Sequence, residues 1–194
     1  MGVYKLSAAG GLATPRTNYS SFLAGNPAVV FSSYESIAST TVGSGGASNV
    51  EFTSIPADYT HLQIRAITGN VTSGNASSGV YYTANSDTTN SNYKSHALYG
   101  DGGSVVASAG NRLLGLIGAT SGYNAYVIDI LDYKNTNKYK TIRSLSGFDQ
   151  NGYGFVWFAS SVWMNTNAIT SLKFDSDGGN FLQYTQFSLY GVKS

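Results

Sequence analysis

From residue 34 to the C-terminus, apolar side chains come in short runs with a period of two, and clusters of glycine, asparagine, serine or aspartate interrupt them. The stretch His-Leu-Gln-Ile-Arg-Ala-Ile at 61–67 is a clear example. Leu62, Ile64 and Ala66 fall on one face, with Gln63 and Arg65 on the other, the pattern of a strand with one face in a core. Residues 126–131 alternate similarly, with Ile128 and Ile130 on one face. The same reading predicts strands at 34–42, 50–55, 80–84, 93–99, 139–146, 155–163, 169–174 and 184–192. About ten strands at this spacing point to a single β-sandwich of jelly-roll type. The segments 43–46, 68–79, 85–92 and 100–110 read as turns and loops, and 175–180 as a hairpin turn. The one stretch with a helical look, 109–118, carries three glycines, which weighs against a helix.

The first 33 residues follow no such period. They hold two of the three prolines, Pro15 and Pro27, and only two charges, Lys5 and Arg16. Their apolar side chains include Tyr4, Leu6, Leu12, Tyr19, Phe22 and Leu23. A solvated tail is normally more polar. The division expected is therefore an extended arm at 1–33, whose apolar residues lie in a neighbour's grooves, and a β-sandwich domain at 34–194.

Composition narrows the function. Charged residues make up 11% of the chain, less than half of the roughly 25% usual in globular domains. Eleven basic residues balance ten acidic ones, and a partner rich in phosphate calls for a basic surface, so nucleic acid is not expected. With so little charge, much of the surface is expected to meet other proteins. The 15 Tyr, 9 Phe and 2 Trp exclude a disordered chain. Cysteine is absent, which removes disulfides and thiolate metal sites. No stretch has the apolar length of a signal peptide core or a membrane span, so a membrane role is not expected.

Catalytic patterns are thin. The two histidines, His61 and His96, both fall inside predicted strands. No Gly-x-Ser-x-Gly elbow and no phosphate-binding Gly-Lys-Ser/Thr ending is present. The carboxylates are scattered. Asp175-x-Asp177 resembles the start of a calcium loop, but no glutamate closes it. Lys134, Lys138, Lys140 and Arg143 form the only local charge excess and read as a solvated hairpin face. No catalytic residue, metal or cofactor is therefore assigned, and no enzyme is expected. The aromatic cluster Tyr153, Phe155, Trp157, Phe158 and Trp163 is more telling. Not all of these rings fit on one buried face, so some are expected to face a sister subunit, another protein or a sugar. The low charge favours the protein contact.

Three stretches carry a resemblance. They are Arg16-Thr-Asn-Tyr-Ser-Ser-Phe-Leu-Ala-Gly-Asn; then Tyr34-Glu-Ser-Ile-Ala with Val-Gly-Ser-Gly-Gly-Ala-Ser and Thr-His-Leu-Gln-Ile-Arg; and Val127-Ile-Asp-Ile-Leu-Asp-Tyr-Lys-Asn-Thr-Asn-Lys-Tyr-Lys-Thr-Ile-Arg-Ser-Leu-Ser-Gly. With the closing Phe187-Ser-Leu-Tyr-Gly-Val they resemble a group of structural proteins of tailed bacteriophages, common in aquatic phages. The resemblance implies a virion component made in the host cytoplasm. One role is a capsid cement (decoration) protein bound to the major capsid protein; the other is a tail-fibre or baseplate module recognising host surface glycan. The apolar arm and the lack of a long shaft favour the cement role. Analogy with other β-rich virion proteins implies a homotrimer.

Overall fold

The structure is a computed structural model, and it describes residues 33–69, 77–118, 123–149, 154–177 and 179–193. It is all-β: two antiparallel sheets packed face to face. The strands are β1 (Tyr34–Thr41), β2 (Asn49–Phe52), β3 (His61–Thr68), β4 (Ser77–Ala84), β5 (Tyr93–Gly100) and β6 (Val105–Gly110), then β7 (Leu113–Gly118), β8 (Asn124–Leu131), β9 (Lys140–Asp149), β10 (Gly154–Trp163), β11 (Leu172–Ser176) and β12 (Gln186–Val192). A single 3-10 turn at Asn90–Asn92 precedes β5.

The small sheet has the order β2-β11-β4-β7, and the large sheet β1-β12-β3-β8-β9-β10-β5-β6. Within the large sheet, β1-β12-β3-β8 faces the small sheet in jelly-roll connectivity, the chain switching sheets at each step through these four strands and the four of the small sheet, except from β4 to β7, which pair with each other. Two inserted hairpins break that rhythm. β5–β6 falls between β4 and β7, and β9–β10 between β8 and β11. They lie side by side and widen the large sheet from four strands to eight.

Alternation builds each strand. In β8, Asn124, Tyr126, Ile128 and Ile130 point inward, with Ala125 and Val127 outward. Ile64 and Ala66 of β3 pair with Leu189 and Phe187 of β12, and Leu172 and Phe174 of β11 belong to the same core. The Phe174 and Phe187 rings stack with centroids 5.0 Å apart. Each such buried side chain stabilises the fold by about 1.5–3 kcal/mol.

Toward the inserted hairpins the inner face changes to small residues: Ser144 and Ser146 on β9, Ala159 and Ser161 on β10, Ser95 on β5. They admit β7, which crosses β9 and β10 closely. A Cβ on Gly115 would lie 2.2 Å from the Ser146 hydroxyl, and the Ser144 hydroxyl donates to the Leu114 carbonyl. The outermost strand, β6, has exposed side chains on both of its faces, Val105 and Val106 among them.

Three local expectations are corrected. Residues 105–110 are an edge strand, not loop, because β5 supplies a backbone partner along their whole length. Residues 113–118 are strand too, paired with β4. The expected hairpin turn at 175–180 is corrected, because Asp175 and Ser176 close β11 in the small sheet and the next strand, β12, lies in the large one.

Candidate interaction surface

The outer face of the large sheet is the distinctive surface of the molecule. Register fixes which side chains share a row across the strands, because directly paired residues point to the same side. One row runs Arg65 (β3), Val127 (β8), Leu145 (β9), Phe158 (β10), Leu98 (β5) and Ala107 (β6). Leu145, Phe158 and Leu98 are 51%, 49% and 53% exposed. Together they form an apolar ridge over three adjacent strands.

The neighbouring row runs Ile67, Ala125, Gly147, Val156, Gly100 and Val105. On the three ridge strands it holds only glycine, valine and glycine, so the surface drops. The hollow is lined by Gly100, Asp101, Gly102, Gly147, Phe148, Asp149, Gly154, Phe155 and Val156, with a volume of about 610 Å³. At Gly147 the backbone leaves no room for more, because a Cβ there would lie 2.9 Å from the Phe155 carbonyl. Two carboxylates rim the hollow. Backbone N–H groups of Ser104 and Gly103, both donating to Asp101, hold its carboxyl below the usual range.

On the other side of the ridge the face turns polar: Gln63, Asp129, Arg143, Ser160 and His96, then Lys94 one row further. Gln63 Nε2 donates to Asp129 at 2.8 Å, and Arg65 Nε donates to Gln63 Oε1 at 3.0 Å. Along the strands the face therefore runs from carboxylates, through an apolar middle, to a largely basic end.

The sequence had pointed elsewhere on β10. Trp157 and Trp163 are 4% and 1% exposed, and the expectation that they face a partner is corrected. They share the parity of Ala159 and Ser161, which point into the sandwich, so Val156 and Phe158 take the outward positions. Trp157 stacks on Tyr99 with centroids 4.6 Å apart, and Trp163 donates its indole N–H to Asp87 at 2.9 Å. Phe155 is half-buried, edge-on to Tyr99 at 6.0 Å. Tyr153 and the arm residues Tyr4, Leu6, Leu12, Tyr19, Phe22 and Leu23 lie outside the described residues. The ridge residues Leu145 and Leu98 were missed, although strict parity within 93–99 and 139–146 places them opposite inward-pointing neighbours.

The groups suited to chemistry serve structure. His61 Nδ1 accepts the Asp132 backbone N–H at 2.9 Å, which ties the start of β3 to the end of β8. A hydrogen bond from Lys138, ahead of opposing burial, holds the Asp132 carboxyl low. Lys140 is no solvated hairpin residue: it is fully buried, with Nζ donating to three carbonyls. Asp175 pairs with Lys173 at 3.1 Å. Among the described residues no three His, Cys, Asp or Glu converge on a metal position, and no helix is long and apolar enough to cross a membrane. Compared with protein-family models, curated proteins and solved structures, the chain matches none.

Proposed function

We propose that this chain is a non-enzymatic structural protein of a phage virion, a cement subunit that binds the outside of the shell and stiffens it. The observation that carries the reading is the apolar middle of the outer sheet face, whose charge is confined to Arg65 at its β3 end. Its seven large apolar side chains, each roughly half exposed, present on the order of 600 Å². That is at the upper end of the patches monomeric proteins expose, and patches of that size mark contacts with other molecules. The eight-stranded sheet carries it across several adjacent strands. Sister copies and the major capsid protein are the proposed partners, and the virion is the proposed location.

A second reading draws on the hollow beside the ridge. Its carboxylates, Asp101 and Asp149, are acceptors for sugar hydroxyls, and Val156 with Phe158 offers apolar surface for a ring face. In that reading the chain is a tail module recognising host glycan.

Quantitative mass spectrometry of purified particles tests both. Copy number near stoichiometry with the major capsid protein is expected for cement. A few dozen copies, with binding of the isolated protein to host glycans, would replace the first reading by the second. A chain missing from particles would remove both.

A further inference from the structure

The relief of the outer face is self-complementary. We infer that it pairs two copies of this chain about a twofold axis lying in the plane of the contact and running across the strands, between the Phe158 row and the Val156 row. The inference deepens the reading of the chain as an assembly subunit and rests on it.

The geometry follows from the register. On β9 the outward residues run Asp149, Gly147, Leu145, Arg143, in that order along the strand. A twofold axis placed midway between Gly147 and Leu145 puts Gly147 beneath the partner's Leu145. The same rotation puts Asp149 beneath the partner's Arg143. On β10 it sets Val156 under the partner's Phe158, and on β5 Gly100 under the partner's Leu98. Leu145 and Leu98 of each copy therefore sit over glycines of the other on β9 and β5, while Phe158 packs against Val156 on β10. Such an isologous contact is closed, so assembly stops at two across this face.

Charge selects the same axis. Asp101 and Asp149 stand at one end of the face. Arg143 and Lys94 stand at the other, where they outnumber Asp129. An axis across the strands lays each acidic end over a basic end. An axis along the strands would lay like charge on like charge, which is repulsive by amounts that decide register. Size agrees as well. The apolar patch of about 600 Å² plus its polar rim approaches the roughly 800 Å² per partner of a standard interface. Stacked sheets pack about 10 Å apart with their strands within about 30° of alignment. The overlay is therefore closest at β9, β10 and β5.

Sedimentation equilibrium of the full chain tests the inference. Twice the chain mass of 20.5 kDa is expected at micromolar concentration. Phe158→Glu and, independently, Leu145→Glu should each weaken dimerisation about 100-fold or more, and at dilutions where the parent chain is itself monomeric they should leave the melting temperature unchanged, since both side chains are half exposed. Asp149→Arg and Arg143→Asp should each weaken it about tenfold, and the double variant should restore it. A monomer at 100 µM, on the order of the weakest specific contacts, would overturn the inference. So would a dimer indifferent to Phe158→Glu and Leu145→Glu, or a charge swap that fails to rescue. A trimer would also overturn it while leaving the proposed virion role intact. Conversely, a dimer from a chain missing from particles would sink the virion role alone.

Discussion

Lys140→Met removes one ammonium from the interior and leaves the side chain's length nearly unchanged. Lys140 opens β9 with no exposed surface, and Nζ donates to the carbonyls of Asn135, of Lys138 at 2.9 Å and of Thr166 at 3.0 Å. All three of its N–H bonds are therefore used. The group ties the loop between β8 and β9 to the segment after β10. That loop is also held by Tyr133, whose hydroxyl donates to the Pro56 carbonyl and whose own carbonyl accepts the Ile169 N–H at 2.9 Å. Hydrogen bonds to a charged group are worth about 1.5–3 kcal/mol each. Their sum overstates the effect, because the buried ammonium gave up its hydration. Removing one side of a buried charged network typically destabilises by about 3–5 kcal/mol, and the lower half of that range is expected here, since the carbonyls belong to surface loops that water can enter. For a domain of this size about 3–4 kcal/mol lowers Tm by roughly 7–14 °C. Urea unfolding followed by tryptophan fluorescence should show a lower midpoint at unchanged slope. Lys140→Arg should not rescue, because a planar fork cannot place three donors around one point. A loss below about 1 kcal/mol would mean that the ammonium sits in water, and the account of the loop would be wrong.

Asp87→Ala orphans the Trp163 indole N–H, which lies 2.9 Å from the carboxylate, and the Asn92 amide at 2.8 Å. A loss of about 2–3 kcal/mol is expected, with a shift in tryptophan emission; unchanged melting would refute it. Acid should destabilise the fold through the same carboxylate. Burial pushes Asp87 up, but hydrogen bonds from Trp163, Asn92 and Thr89 outweigh it and hold its pKa below 3.8; Glu35, bonded by Lys193 and Tyr59, is held below 4.5. Because the unfolded chain binds these protons more tightly, the stabilisation is full above about pH 5 and lost as pH falls through the lowered values. Calorimetric melts at equal Tm on both sides of that window would contradict this. Gly191→Ala would place a Cβ 2.2–2.4 Å from ring atoms of Tyr59. It should destabilise by about 1–3 kcal/mol, and the penalty should vanish in a Tyr59→Ala background, measured as a double-mutant cycle.

The strands that alternate cleanly were legible. β3 and β8 both fall within a residue or two of the expected positions, because each has one face in the core and one in water. β6 was not. Val-Val-Ala-Ser-Ala-Gly has solvent on both sides, so no burial imposes a period on its sequence, and only pairing with β5 makes it a strand. β7 was hidden by Gly110, Gly115 and Gly118; Gly115 is required by the close approach to Ser146 and Tyr126, a fact of sheet packing rather than local propensity. Lys140 looked like one of a charged cluster, since composition cannot tell a solvated ammonium from one enclosed by three carbonyls.

Taken alone, the residues determined that this chain is β-rich, that its charge is sparse and balanced, and that it carries no cysteine and no recognised catalytic motif. These follow from period, composition and spacing, which are properties of neighbours along the chain. Tertiary structure decided that two hairpins widen one sheet to eight strands, that both tryptophans turn inward, and that Leu145, Phe158 and Leu98 line up into a ridge beside a glycine-lined hollow. Those residues are separated by up to 60 positions in sequence and meet only because the register of two antiparallel pairings carries them into one row. Register is set by the sum of contacts over whole strands, so a surface built from it is written in no single segment.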